Sequence, residues 1–225
     1  MNLEPKNIPA LHSSLLLRVS LILLLPASIF LYWYFTHERE PYPAVEIARV
    51  TIPEGYNVSQ IGEALEQAGM FSASDFVKLA RSEEGFLFPD TYEFYKDATP
   101  ESVIAKMKDN FSKKVGAEVS RDVIIMASIL EEEAATVKDW QLISGILWKR
   151  LRAGMPLQVD AVPSTYESRG LPLDPISNPG LAAIDAAIRP ATSPYWYYLS
   201  DQDGVIHYAE TFEEHKINRV KYHRR

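Results

Sequence analysis

From Val19 to Phe35 the chain reads VSLILLLPASIFLYWYF, and no other feature limits the fold as strongly. The run carries no charge over about 17 residues, the lower limit for a helix that crosses a bilayer. Leu15, Leu16 and Leu17 extend it, and the Arg18 side chain is long enough to reach the headgroups. Tyr32, Trp33 and Tyr34 close it with the amphipathic rings that favour a membrane interface. A cleaved signal peptide is the rival reading, but no small-x-small cleavage site follows the apolar run. Lys6 and Arg18 precede the run, whereas His37, Glu38, Arg39 and Glu40 follow it. The positive-inside bias therefore predicts a cytoplasmic tail over 1–18 and a transmembrane helix over 19–35. A Pro-containing linker over 36–44 then leads to an extracytoplasmic body.

The remaining sequence is that of a globular protein, with 47% hydrophobic and 24% charged residues in the whole chain. A net charge of −7 with no long basic stripe excludes a nucleic-acid partner. The absence of cysteine excludes disulfides, thiol nucleophiles and thiolate metal sites, and nothing in the pattern calls for a cofactor or metal.

Alternation and β-branched content predict a strand over Val45–Ile52, followed by a turn at Pro53-Glu54-Gly55. Asn57 or Ser59 caps a helix with Ile61, Leu65 and Ala68 inward, ended by Gly69. Ser72 or Ser74 caps a second helix bearing Phe76, Val77 and Leu79, which completes a small module over 45–82. A larger domain over 83–225 opens on the aromatic stretch EGFLFPDTYEF. Three helices are expected next, over 101–115, from Ser120 to about Val137, and over 140–153. A Pro- and Gly-rich loop covers 155–180, with a helix near 181–188 behind it. YWYYLS and VIHYAE form a hairpin through Asp201–Gly204, and a polar helix starts at Thr211. The fold class is α+β.

Three carboxylates stand together at Glu131-Glu132-Glu133. At about 100° per residue, Glu131 falls between Ala127 and Ile124, within the apolar arc that also holds Ala135. Glu132 falls between Ser128 and Ile125 and Glu133 beside Asp122, so Glu131 alone is flanked by apolar neighbours and the other two lie off the arc, on the solvated side. A carboxyl on an apolar arc has its pKa raised by desolvation, as a general acid requires, or it pairs with a cation such as Arg150 or Arg152.

A carboxylic acid with such chemistry needs a groove. Trp140, Tyr166, Tyr195, Trp196, Tyr197 and Tyr198 are candidates for stacking on sugars, with core or sheet packing as the alternative for each. Gln158, Asp160 and Asn178 lie in the loop-rich region where binding groups concentrate; for Asp160 an Asx turn or a cap is the plainer role.

Six segments in order, IPEG at 52–55, GFLFPDTY at 85–92, ASILEEEA at 127–134, LQVD at 157–160, ISNPG at 176–180 and EEH at 213–215, resemble the YceG-like family of endolytic murein transglycosylases. The resemblance covers about Val45 to Tyr222. It implies a single-pass inner-membrane anchor, a LysM-like module at 45–82 and a catalytic domain at 83–225. It further implies non-hydrolytic cleavage of the β-1,4 bond after N-acetylmuramic acid, giving 1,6-anhydro ends. The first glutamate of the family's ASI-x-E motif is its catalytic residue and aligns with Glu131. Thr165-Tyr166 matches the end of the family's Tyr-Asn-Thr-Tyr motif, so the expected substrate-binding residues are Gln158, Asp160, Tyr166 and Asn178. The expected partners are peptidoglycan strands, the membrane and peptidoglycan synthases. Two other classes stay open: a muramidase that hydrolyses, using Asp90 or Asp160 as second carboxylate, and a non-catalytic wall-binding or division scaffold.

Overall fold

A computed structural model describes residues 26, 28–36, 46–116 and 118–222. The chain divides into two compact units, Met1–Val45 and Glu46–Arg225. In the first, residues 28–36 are helical, and Ile29 through Phe35 are exposed. The tail, most of the linker, and residues 19–25 and 27 of the predicted span lie outside the described residues. Among the described residues no helix is long and apolar enough to cross a membrane.

The second unit opens with strand β1 (Ile47–Thr51), helices α1 (Val58–Gln67) and α2 (Ala73–Ala80), and strand β2 (Thr91–Tyr95). Asn57 caps α1 through a reciprocal box with Gln60, and Ser72 caps α2, as their short polar side chains favour. β1 and β2 pair antiparallel, with Val50 opposite Tyr92 and Ala48 opposite Phe94. The alternation that signalled β1 turns Ala48 and Val50 inward, onto Ile61, Leu65 and Phe76. Leu79 is 43% exposed because α2 packs through Phe76 and Ala80. Leu87, Tyr92, Phe94, Val103 and Met107 belong to the same core, so this βααβ unit packs continuously across position 82.

Helix α3 (Pro100–Val115) follows, capped by Thr99, and then α4 (Arg121–Glu133) and α5 (Val137–Arg152). Every residue of α4 from Ile124 to Leu130 is buried, so the helix is a central strut rather than a helix with one apolar face. α6 (Leu181–Ile188) packs on α4 and α5. Gly145 permits the chain after α6 to cross α5, since a Cβ there would lie 2.0 Å from the Ala191 carbonyl oxygen. The hairpin β3 (Tyr197–Ser200) and β4 (Ile206–Ala209) pairs antiparallel, and α7 (Phe212–Tyr222) lies on it. Helices with two small antiparallel sheets make the fold α+β, as the sequence pattern implies.

Candidate active site

Helix α4 stops four residues short of the expected Val137. Ala134 is extended, its carbonyl accepts from Trp140 Nε1 at 2.8 Å, and Thr136 already caps α5. This termination leaves three carboxylates fanned around the last turn. Glu132 is exposed, and Glu131 and Glu133 are half-buried.

The carboxylate of Glu131 faces the first residue of the α6 cap, where the Gly180 backbone N–H donates to Oε2 at 2.8 Å. Burial raises the Glu131 pKa; the Gly180 hydrogen bond opposes this, and the charges of Glu54 and Glu132 add to it. Arg150 is not its partner. That guanidinium is buried and donates to the carbonyls of Trp196 at 2.8 Å and Leu157 at 2.6 Å, while Arg152 is exposed. Glu131 therefore has no ion-paired cation among the described residues, and its half-buried carboxyl has the setting that a general acid requires. Ala135, placed beside it by the helical wheel, is exposed beyond the helix end.

Two loops frame this carboxyl. Gly55 N–H donates to the Asn178 carbonyl at 3.0 Å, and Asn178 N–H returns a 3.0 Å bond to the Tyr56 carbonyl. Gly55 (φ +81°) has its Cα side against Glu131 and Glu132: a Cβ would sit 3.4 Å from Glu131 Cγ. Gly180 leaves room for Glu54, whose Oε1 would be 2.0 Å from any Cβ added there. Ser128, one turn before Glu131, accepts from Ile176 N–H at 3.1 Å and so fastens the second loop to α4. Gly85, in the left-handed region at φ +88°, lets the aromatic segment touch Pro175 and Ile124. The IPEG, GFLFPDTY, ASILEEEA and ISNPG segments thus converge on one corner of the molecule.

Asn178, expected to bind substrate, is wholly buried at the centre of that corner. Its side chain donates to the Tyr56 carbonyl at 3.0 Å and Glu84 Oε1 at 2.8 Å, and accepts from Leu87 N–H at 2.9 Å. Its amide is spent on holding three segments together, and no face is left for a ligand. Glu84, which also accepts from Val58 N–H at 3.0 Å, is pushed up to about 7 by burial.

The other three expected binding residues do lie together. Gln158, Asp160 and Tyr166 are exposed on one wound loop, and Tyr166 Oη donates to Asp160 Oδ1 at 2.5 Å. The Thr165 hydroxyl accepts from Val159 N–H at 3.0 Å and donates to the Val162 carbonyl at 2.7 Å, which closes the loop from inside. Gln158 adopts φ +53°, the one positive value outside glycine among the described residues. Of the candidate aromatics, Trp140 is buried, Tyr198 bonds Glu133, Tyr195 stacks on Tyr208, and Tyr197 lies beside Arg150 and His215. Lys149 covers Trp196 at 4.4 Å. Tyr166, 49% exposed, is the aromatic most available to a sugar.

Asp90, a candidate second carboxylate for a hydrolase, is already paired. Its Oδ2 is held by Asn110 at 2.9 Å and Lys114 at 3.0 Å, and the Asn110 hydrogen bond leads in lowering its pKa. Glu133 is the residue that sequence reasoning misplaced. Instead of facing solvent it accepts from Tyr198 Oη at 3.0 Å, and burial raises its pKa.

The family model described as "YceG-like family" matches residues 36–162 and 164–221. The chain belongs to the YceG-like family. An endolytic murein transglycosylase of Bacillus subtilis (strain 168) is 29% identical over 171 residues, which cover 62% of this chain and 48% of that protein. The endolytic murein transglycosylase of Streptococcus pneumoniae serotype 2 (strain D39) is 26% identical over 253 residues, covering 81% of this chain and 46% of that protein. This YceG-like chain therefore spans about half the length of those two relatives. The crystal structure of a YceG-like protein from Listeria monocytogenes superposes with a TM-score of 0.67 at 26% identity, over 76% of this chain and 75% of that one.

Proposed function

We propose that the chain is a membrane-anchored endolytic lytic transglycosylase that cuts peptidoglycan strands, with Glu131 as its acid and base. The observation that carries this reading is the Glu131 carboxyl itself, half-buried, paired with no cation among the described residues and held by the Gly180 amide between two glycine-containing loops. The names of the two endolytic murein transglycosylases that resemble it supply the substrate class.

Protonated Glu131 gives its proton to the glycosidic oxygen as the bond from C1 of N-acetylmuramic acid breaks, releasing the 4-hydroxyl of N-acetylglucosamine. The Glu131 carboxylate then takes the proton of the muramic C6 hydroxyl, whose oxygen closes on C1 to form the 1,6-anhydro ring. The proton returns to Glu131, no water is consumed, and one carboxylate suffices for both transfers. Gly180 N–H, donating to Oε2, stabilises the carboxylate formed between the two steps. Gln158, Asp160 and Tyr166 form the wall that binds the strand; Asn178 keeps the acid in place from beneath. The βααβ unit is a LysM-like wall-binding module, supported by its two antiparallel strands flanking two helices. The uncharged Val19–Phe35 run is the single-pass anchor that keeps this body on the outer side of the cytoplasmic membrane, near the peptidoglycan synthases.

Digestion of purified peptidoglycan by the full chain in detergent tests the reading. Mass analysis should find fragments lighter by one water than hydrolytic products, and Glu131→Gln should form none while keeping its thermal transition. Hydrated reducing ends would reject the lytic reaction.

A further inference from the structure

Glu54 is a carboxylate that the proton transfers leave unused, and the fold keeps it beside the acid. It lies in the Pro53-Glu54-Gly55 turn between β1 and α1, exposed to solvent, and no ion pair or hydrogen bond holds its side chain among the described residues. Two close approaches fix its place. At Gly180 an added Cβ would stand 2.0 Å from Glu54 Oε1 and 2.1 Å from its Cδ, while the backbone N–H of this same residue donates to Glu131 Oε2 at 2.8 Å. At Gly55, next to Glu54 in the chain, an added Cβ would stand 3.4 Å from Glu131 Cγ. The two carboxyls therefore flank one glycine at the head of α6. Gly180 has φ −74° and ψ 166°, a conformation open to any L-residue, so what the missing side chain provides there is room for the Glu54 carboxylate.

Like charges side by side repel, and the cost is offset when positive charge appears next to them. The proposed reaction makes such a charge. As the bond from C1 to the glycosidic oxygen breaks, its electron pair leaves with the oxygen that takes the Glu131 proton, and C1 shares a positive charge with the ring oxygen. We infer that Glu54 is a second catalytic carboxylate, which faces this cation from the other side of Gly180 and stabilises it until the C6 oxygen closes on C1. The inference deepens the proposed function and rests on it. Glu54 neither gives nor takes a proton: the leaving oxygen receives its proton from Glu131, and the C6 proton returns there. A group needed only while C1 is cationic strengthens binding of the transition state and not of the strand, so its loss lowers kcat and leaves KM. Its influence on the acidity of Glu131 is separate, since that moves the alkaline limb without lowering the plateau.

The test follows strand cleavage by the full chain across pH and reads the plateau kcat and KM for the parent, Glu54→Gln, Gly180→Ala and Glu132→Gln. Glu54→Gln should lower the plateau kcat at least about tenfold and change KM by less than about threefold. Gly180→Ala should do the same with the glutamate still present, because the new methyl takes the place of its carboxylate. Glu132→Gln is the control. That residue is exposed and, like Glu54, adds its charge to the rise in the Glu131 pKa, so its alkaline limb should move while the plateau stays within about twofold of the parent. An undiminished plateau in Glu54→Gln, a rise in KM with kcat preserved, or equal losses in Glu54→Gln and Glu132→Gln overturns the catalytic role. Should Glu54→Gln fail to fold, Gly180→Ala decides by the same readouts. A parent that releases no anhydro ends rejects the functional reading and takes this role with it, whereas an active parent with undiminished variants rejects this role alone.

Discussion

Glu54 sits in the turn that the sequence marks only as a breaker, yet its carboxylate occupies the space beside Gly180 where a Cβ would stand. It is exposed, so replacing it leaves the core untouched, and its charge is second among the effects that raise Glu131. Glu54→Gln removes that charge and keeps the shape. Like unit charges about 4 Å apart repel by about 1 kcal/mol in water and about 4 kcal/mol at an effective dielectric of 20, and less with distance. The pair is half-exposed, so the repulsion lies towards the lower of these values, and its removal lowers the Glu131 pKa. The sign is fixed by the chemistry. Cleavage needs protonated Glu131, so activity falls on the alkaline side, and a lower Glu131 pKa moves that fall to lower pH. Gly180→Ala should act in the same direction, because the new methyl displaces Glu54 from its place, while φ −74° and ψ 166° suit alanine. The assay is the initial rate of strand cleavage against pH for parent, Glu54→Gln and Gly180→Ala. An alkaline limb that stays in place, or moves up, in both variants would refute the claim that like-charge repulsion helps set the acidity of Glu131.

Asn178→Ala should cost about 3–5 kcal/mol by urea denaturation, because it strands the Leu87 N–H and the half-buried Glu84 carboxyl, and activity should fall with it. Glu84 makes stability depend on pH. Its folded pKa of about 7 lies above the ordinary carboxyl value of 4.5, so its contribution is complete below about 4.5 and is lost as pH rises through about 7. After discounting for solvent screening, about 1–2 kcal/mol should disappear across that window, and Glu84→Gln should flatten the profile. A periplasm-dependent reporter fused after Arg225 should be active, and a cytoplasm-dependent one at the same point silent. The reverse pattern would overturn the orientation.

Local chemistry made the secondary structure legible. Of the two candidates for each of the first two caps, Asn57 and Ser72 are the ones used, α4 starts behind Ser120 as expected, and Leu181–Ile188 is a helix over its predicted length. The end of α4 was not legible, because Trp140 and Thr136 stop it through contacts that helical periodicity does not encode. The same reason hid the strand at Thr91–Tyr95, which exists by pairing with β1, some 40 residues earlier, and reads from sequence merely as aromatic. Glu131 was singled out by its apolar neighbours on a helical wheel, and its half-burial agrees, although the buried strut has no single apolar arc. The burial of Glu133 and Asn178 was hidden because their partners, Tyr198 and Tyr56, lie 65 and 122 residues away. No pattern of local spacing carries such contacts.

Everything in the proposed chemistry turns on whether Glu131 moves a proton between two sugar oxygens or activates water. Digestion of peptidoglycan in water enriched with heavy oxygen separates the two in one mass spectrum. The full chain should release anhydro-ended fragments that carry no heavy oxygen, and Glu131→Gln, with its fold intact, should release none at all. Heavy oxygen at the new muramic ends, or undiminished cleavage by Glu131→Gln, would contradict the account.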